Sequence, residues 1–208
     1  MDGPGPFESS SDDTHAEMMR ATYDALQKHG YSELTIQRIG DEFPKSKSLI
    51  YQHYDGKDDL LVAFLEFLLE RFKADVPTDD DFEDARDQLL TLVDHPLTDS
   101  SDDEHAAFIG AMTALRGQAP YDKAYRKQFA DTDAFFREHI ANVVRDGIEQ
   151  GVFREVDPER TAAFITATID GAQSQCVTTG NDEPIDAVRR ELTEYVRMRL
   201  VVDDEDRR

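Results

Sequence analysis

The chain has 208 residues and a formal net charge of −22, from 45 acidic and 23 basic side chains, with 39% of residues hydrophobic. That is enough apolar material for one domain with a real core, or for a small domain joined to a larger one, so the charge does not imply disorder. No run of about 18 apolar residues could span a bilayer, the acidic start MDGPGPFESSSDD does not read as a signal peptide, and the single Cys176 excludes an internal disulfide or a multi-cysteine metal site.

Residues 1–13, with Gly3, Pro4, Gly5, Pro6 and a Ser/Asp cluster, read as a disordered acidic arm. Helical spacing then takes over. Met19, Thr22, Tyr23 and Leu26 follow i, i+3, i+4, i+7 and predict a first helix closed by Gly30, a residue suited to a left-handed helix end. Thr35 is placed to cap a second helix with Ile36, Ile39, Gly40 and Phe43 on one face; Pro44 stops it, having no amide hydrogen for the ladder. Ser46 is placed to cap a short third helix reaching about Tyr54, with Ile50 and Tyr54 inward, before Asp55 and Gly56 break the chain.

A fourth helix is expected from about Lys57 to Phe72, with Leu60, Leu61, Phe64, Leu65, Leu68 and Phe72 on its apolar face, before a break at Pro77. The stripes Phe82, Ala85, Leu89, Val93 and Phe108, Ala111, Met112, Leu115 predict two more, the first before Pro96 and the second before Gly117 and Pro120. A long helix is expected over residues 121–150, with Tyr125, Phe129, Thr132, Phe136, Ile140 and Val144 on one face and Gly151 closing it. Asp157, Pro158 and Glu159 in succession supply a cap, a preset φ and an acid favoured by the helix dipole, so the next helix starts there and ends before Gly180. A last helix runs from about Pro184 to Val202, followed by a charged tail, residues 203–208. With no two-residue alternation and no internal repeat, the expected class is all-α.

The charge is unevenly spread. Residues 1–13 carry four acids and no base, residues 14–57 carry six of each, and residues 58–208 carry 35 acids and 17 bases. An acid excess distributed in this way suits a halophilic host, whose salt screens the self-repulsion. Three of the seven lysines, Lys45, Lys47 and Lys57, fall in the stretch Phe43–Lys57 against one aspartate.

A helix, a tight break at Pro44 and Lys45, then a short helix bearing lysine, serine, glutamine, histidine and tyrosine make a helix-turn-helix plan whose second helix would enter a DNA major groove. The lysines can neutralise phosphates, Ser46 and its neighbouring amides can hold a phosphate at the helix N-terminus, and Gln52 can read an adenine edge. Tyr51 and His53 offer donors to the sugar-phosphate chain. A solvated helical hairpin is the alternative on spacing alone.

The segment TIQRIGDEFPKSKSLIYQHYDGKDDLL, Thr35 to Leu61, resembles the DNA-binding core of the TetR family of transcriptional regulators. The match includes Thr35, Ile39, Asp41, Glu42, Ser46, Lys47, Ile50, Tyr51, Tyr54, Lys57, Leu60 and Leu61 over 27 residues. The resemblance implies about nine helices, with residues 14–56 as a three-helix DNA-binding domain and residues 57–202 as a ligand-binding and dimerisation domain. Ser46, Lys47 and Tyr51 become backbone-contacting positions, Lys57 a phosphate contact, and Gln52 and His53 fall on the exposed part of the recognition helix. Thr35, Lys45 and Ser48 complete the candidate DNA face. The family commonly has glycine where Pro44 stands, a small apolar residue where Lys45 stands and glycine or a similar small residue where Ser48 stands. A turn reshaped by Pro44 would let Phe43 fill the gap and Lys45 reach DNA.

In a body of this kind Phe64, Phe67, Leu68, Phe108, Met112, Leu115, Phe129 and Phe136 would line the space for an apolar or amphipathic effector, with Gln173 and Cys176 adding polarity; a filled core is the alternative. Phe164, Ile165, Ile169 and Ala172, with Val188, Leu192, Tyr195 and Val196, would form a four-helix interface in a homodimer; an ordinary core is the alternative. A two-fold dimer sets two recognition helices about 34 Å apart on one face of a palindromic operator. The expectation is therefore a ligand-responsive, cytoplasmic repressor that binds double-stranded DNA, with no cofactor, no metal and no membrane partner. An enzyme is not expected, because the chain has no G-x-S-x-G, Walker loop, H-E-x-x-H or Gly-rich dinucleotide turn. The acidic run 79–84 fails the EF-hand pattern, with Asp84 where Gly is needed and Leu90 where Glu is needed. The rival readings are an all-α protein-interaction module without DNA affinity and, behind it, a hydrolase built on Cys176 and a histidine.

Overall fold

The computed structural model of the protein describes residues 14–75, 82–97 and 103–202. The expected arm, the break at Pro77, the tail and residues 79–81 of the acidic run lie outside these ranges. Among the described residues the fold is all-α, with nine helices: α1 Thr14–Glu33, α2 Ile36–Glu42, α3 Lys47–His53, α4 Lys57–Asp75, α5 Ala85–Asp94, α6 Asp103–Arg116, α7 Lys123–Glu149, α8 Pro158–Thr179 and α9 Glu183–Tyr195. None of them is long and apolar enough to cross a membrane.

The punctuation residues act where the sequence placed them. Gly30 breaks α1 with φ 65° and ψ 164°, a conformation that costs a side-chain-bearing residue but not glycine. Thr35 caps α2 by accepting from the Arg38 amide, and Ser46 caps α3 by accepting from the Ser48 amide. Asp157 caps α8 by accepting from the Arg160 amide at 3.0 Å, and Gly180, left-handed, ends that helix. An Asp157→Ala variant should lose about 1 kcal/mol of stability and Asp157→Asn much less, read as midpoint shifts in urea.

Two boundaries differ from expectation. Phe82 precedes α5, because Asp84 takes the amides of Arg86 and Asp87 and fixes the start at Ala85; Pro96 then sits inside a 3₁₀ turn, His95–Leu97. At the other end α9 widens after Tyr195 into a π turn, Val196–Leu200, and Val201 pairs with Phe153 in an isolated antiparallel bridge.

The described residues pack as two units. The first comprises 14–75 and 110–130. In it α1 packs on α2 and α4, and α2 packs on α3. Met18, Met19, Tyr23, Leu26, Ile39, Ile50, Leu60, Leu61 and Phe64 form its interior, with the Tyr23 and Phe64 rings stacked at 6.2 Å. The buried Thr22 hydroxyl is satisfied by the Met18 carbonyl at 2.8 Å. The second unit comprises 82–97, 103–109 and 131–202. Its core joins Leu89 and Val93 of α5, Ile140, Val143 and Val144 of α7, Ile165 and Ile169 of α8, Phe153 from the turn between α7 and α8, and Leu192, Val196 and Leu200.

Candidate nucleic-acid interface

The helix-turn-helix is held from beneath. Ile50 is fully buried on the inner side of α3, Phe43 fills the corner before Pro44, and Gly40 of α2 lets α3 approach closely: a side chain at position 40 would meet the Lys47 stem at 2.8 Å. With that face anchored, the outer side of α3 presents Ser48, Tyr51, Gln52 and His53 to solvent, Tyr51 at 62% exposure. Tyr54 turns partly inward, and burial, with Asp59 and Glu66 behind it, pushes its phenol up from the ordinary value. The helix is capped by Ser46, whose hydroxyl also lies 2.7 Å from that of Ser48.

The basic residues are less free than their number suggests. Lys47 is ion-paired with Asp41, and Lys45 is ion-paired with Glu17 while donating to the Thr14 hydroxyl at 2.8 Å. The expectation that Phe43 fills the gap at the turn matches its burial; in this structure Lys45 reaches back to the start of α1. Lys57 donates to the Tyr31 carbonyl at 3.0 Å with its ammonium 4.1 Å from the centre of the Tyr31 ring, so its first role is to fasten α4 to the end of α1. Lys28 pairs with Glu42 at 2.6 Å, and that hydrogen bond raises its ammonium pKa. Thr35 is engaged as a cap. Sequence patterning marked the lysines but gave no sign of Glu17 or Asp41 as their partners.

The residues expected to line a ligand space separate between the units. In the first, Phe64, Leu68, Leu115 and Phe129 are buried and Phe67 and Met112 are half-buried; His15 stands edge-on to Phe67 at 5.6 Å and Arg116 lies 4.7 Å from the Phe129 ring. In the second unit Phe108 is half-buried and Phe136 exposed. Gln173 and Cys176 do come together there, beside a cavity of about 280 Å³ that His105, Ile109, Asp182 and Ile185 also line. Gln173 donates to the Pro96 carbonyl at 2.8 Å, and the Cys176 thiol to Asp182 at 3.0 Å. Nothing in the periodicity had joined His105 and Asp182 to those two. Among the described residues no group of three His, Cys, Asp or Glu side chains is placed to hold a metal ion.

Of the residues expected at a dimer face, Ile165, Ile169, Ala172, Leu192 and Val196 are buried in the chain's own second-unit core. Val188 and Tyr195 pack partly against that core, and only Phe164, 49% exposed with its ring 4.9 Å from Tyr195, stands outward.

Residues 19–64 match the model for bacterial regulatory proteins of the tetR family, and residues 85–201 match that for the C-terminal part of BetI-type transcriptional repressors. A TetR transcription regulator from Haloarcula marismortui is 38% identical with a TM-score of 0.81, over 90% of this chain and 98% of that one. A transcriptional regulator from Saccharomonospora viridis, solved in complex with choline, shares the fold with a TM-score of 0.76 at 24% identity, over 91% of this chain and 98% of its own. The HTH-type transcriptional repressor AcnR of Corynebacterium glutamicum is 21% identical over 88% of this chain and 92% of its own length.

Proposed function

The chain belongs to the TetR family of transcriptional regulators, and from that premise we propose that it works as a homodimeric repressor that reads a palindromic operator and is released by a small amphipathic ligand. That it is a DNA-binding transcriptional regulator follows from its family and its relatives; the dimer, the ligand and the contact residues are our own reading. Regulators of this family are in general not enzymes. The observation that carries the proposal is α3: one side buries Ile50, while the other holds Tyr51, Gln52 and His53 outward behind the Ser46 cap. We assign DNA contact to Ser46, Lys47, Ser48, Tyr51, Gln52 and His53, with Lys45 and Lys57 joining if DNA draws them from Glu17 and Tyr31. Functionally, residues 14–56 are the reading head and 57–202 the effector and dimer region. Phe164 and Tyr195 anchor the subunit contact, and the cavity beside Gln173 and Cys176 takes the effector, its Ile109 and Ile185 side suiting apolar groups and Asp182 a donor or cation.

A gel shift or fluorescence anisotropy titration against duplexes from the region upstream of its own coding sequence tests this. Tight, competitor-resistant binding at one site supports the reading; uniformly weak binding to every duplex overturns it. The acid excess and the likeness to a Haloarcula marismortui regulator support a halophilic host. Because Lys45 and Lys47 are already paired with Glu17 and Asp41, each phosphate they neutralise releases a cation from the DNA but leaves a carboxylate that takes one up, so the net release of ions is small. The plot of log affinity against log KCl is therefore expected to be shallow, with a slope smaller in magnitude than about 4 and binding retained near molar salt; a slope near −10 would refute it.

A further inference from the structure

One carboxylate oxygen in the first unit serves two tyrosines from distant parts of the chain. Asp58, in the first turn of α4, accepts at Oδ1 from the Tyr31 hydroxyl at 3.0 Å and from the Tyr125 hydroxyl at 3.0 Å. Tyr31 follows the Gly30 break, and Tyr125 lies in the first turn of α7. Neighbouring bonds hold both approaches. Lys57 clamps the Tyr31 backbone and ring, while Asp122 caps α7 by accepting from the Ala124 amide at 2.7 Å and the Tyr125 amide at 3.3 Å. Tyr125 is 1% exposed, so its hydroxyl has no water to turn to if Asp58 moves away. Burial first, then the Asp58 hydrogen bond, pushes the Tyr31 phenol up to about 12, and burial likewise pushes Tyr125 up; both remain donors at neutral pH.

What this node joins gives it a consequence for DNA binding. The end of α1 and the start of α4 bracket α2 and α3, and Tyr125 starts the helix whose residues 131–149 belong to the second unit. We infer that Tyr31, Asp58 and Tyr125 form a latch that positions the reading helices on the first turn of α7, and that an intact latch is needed for full operator affinity. These are positioning residues: they act through α3 and touch no DNA themselves. The inference rests on the DNA-binding role argued above, and the test separates the two.

The full-length wild-type chain is used to select a duplex from a random-sequence pool, and affinity for that duplex is then measured by anisotropy for Tyr31→Phe, Tyr125→Phe and the double variant, well below their melting temperatures. Each single variant is expected to weaken binding about tenfold, the loss of one hydrogen bond to a charged group. The double variant should lose less than the product of the two, because both donors serve one oxygen. Hydrogen exchange should quicken at residues 31–34 and 57–61 and stay unchanged across α8 and α9. A purely structural role would lower the melting temperature but leave the affinity of the folded protein as it was, and affinities within twofold of wild type would overturn the latch. If Tyr125→Phe does not fold, the half-buried Tyr31→Phe carries the test alone. Should the wild type select no duplex, the DNA-binding reading itself fails and takes the latch with it.

Discussion

Tyr51→Ala is expected to weaken operator binding by roughly 10- to 100-fold per subunit contact while leaving the melting temperature nearly where it was. Both halves follow from one geometry. The Tyr51 side chain is 62% exposed and projects from the outer face of α3, so removing it opens no cavity. Substitutions of that kind stay within about 0.5 kcal/mol. On DNA the same ring would be desolvated against the backbone, where aromatic side chains carry large shares of interface energy, and a two-fold dimer would lose the contact twice. Ile50→Ala is the control. Ile50 is fully buried one position earlier, so its truncation should cost about 2–5 kcal/mol and remove DNA binding by unfolding the head. Equal operator affinity for Tyr51→Ala and wild type, measured by anisotropy with dimerisation checked by sedimentation, would mean that α3 does not face the groove.

The contrast between those neighbouring residues was legible in the sequence, because helical spacing sorts side chains by face and capping residues mark where a face begins. Thr35, Ser46, Asp157 and Gly180 act by local bonds that reach two to four residues, so their roles follow from local order alone. Periodicity says that a face is covered, but not by what. Ile165, Ile169, Leu192 and Val196 make stripes that a second subunit or the chain's own core would bury equally well, and here the core takes them. Longer-range partners left no local trace. Glu17 lies 28 residues from Lys45 and Asp58 lies 67 residues from Tyr125, and nothing in the spacing of an acid predicts which distant donor will find it. The expected DNA face could therefore be proposed by residue type, whereas its ion pairs and the Asp58 node could not.

Gly147→Ala is expected to destabilise the protein by about 2–4 kcal/mol, against the usual direction for a helix-interior glycine. Alanine in place of glycine inside a helix ordinarily gains about 1 kcal/mol. At this position a Cβ would stand 2.1 Å from Cδ2 and 2.4 Å from Cε2 of Phe153, far inside the roughly 3.5–4.0 Å of a normal carbon contact. Phe153 has little room to retreat. Its own amide and that of Val152 both donate to the Gly147 carbonyl at 2.9 Å, after Gly151 has turned the chain with φ 70°. On the far side Arg154 donates to Leu200 at 2.7 Å and Val202 to Val152 at 3.0 Å, tying the same segment to the end of the π turn. The ring must therefore leave the core or push α7 away. Losing the burial of a phenylalanine costs about 3–5 kcal/mol, which exceeds the propensity gain. For a chain of this length the melting temperature should fall by roughly 5–15 °C. The decisive comparison is in a Phe153→Ala background, where the clash is gone and Gly147→Ala should become neutral or mildly stabilising. A Gly147→Ala protein that melts at or above the wild-type temperature would show that α7 and the Phe153 turn do not meet as closely as described.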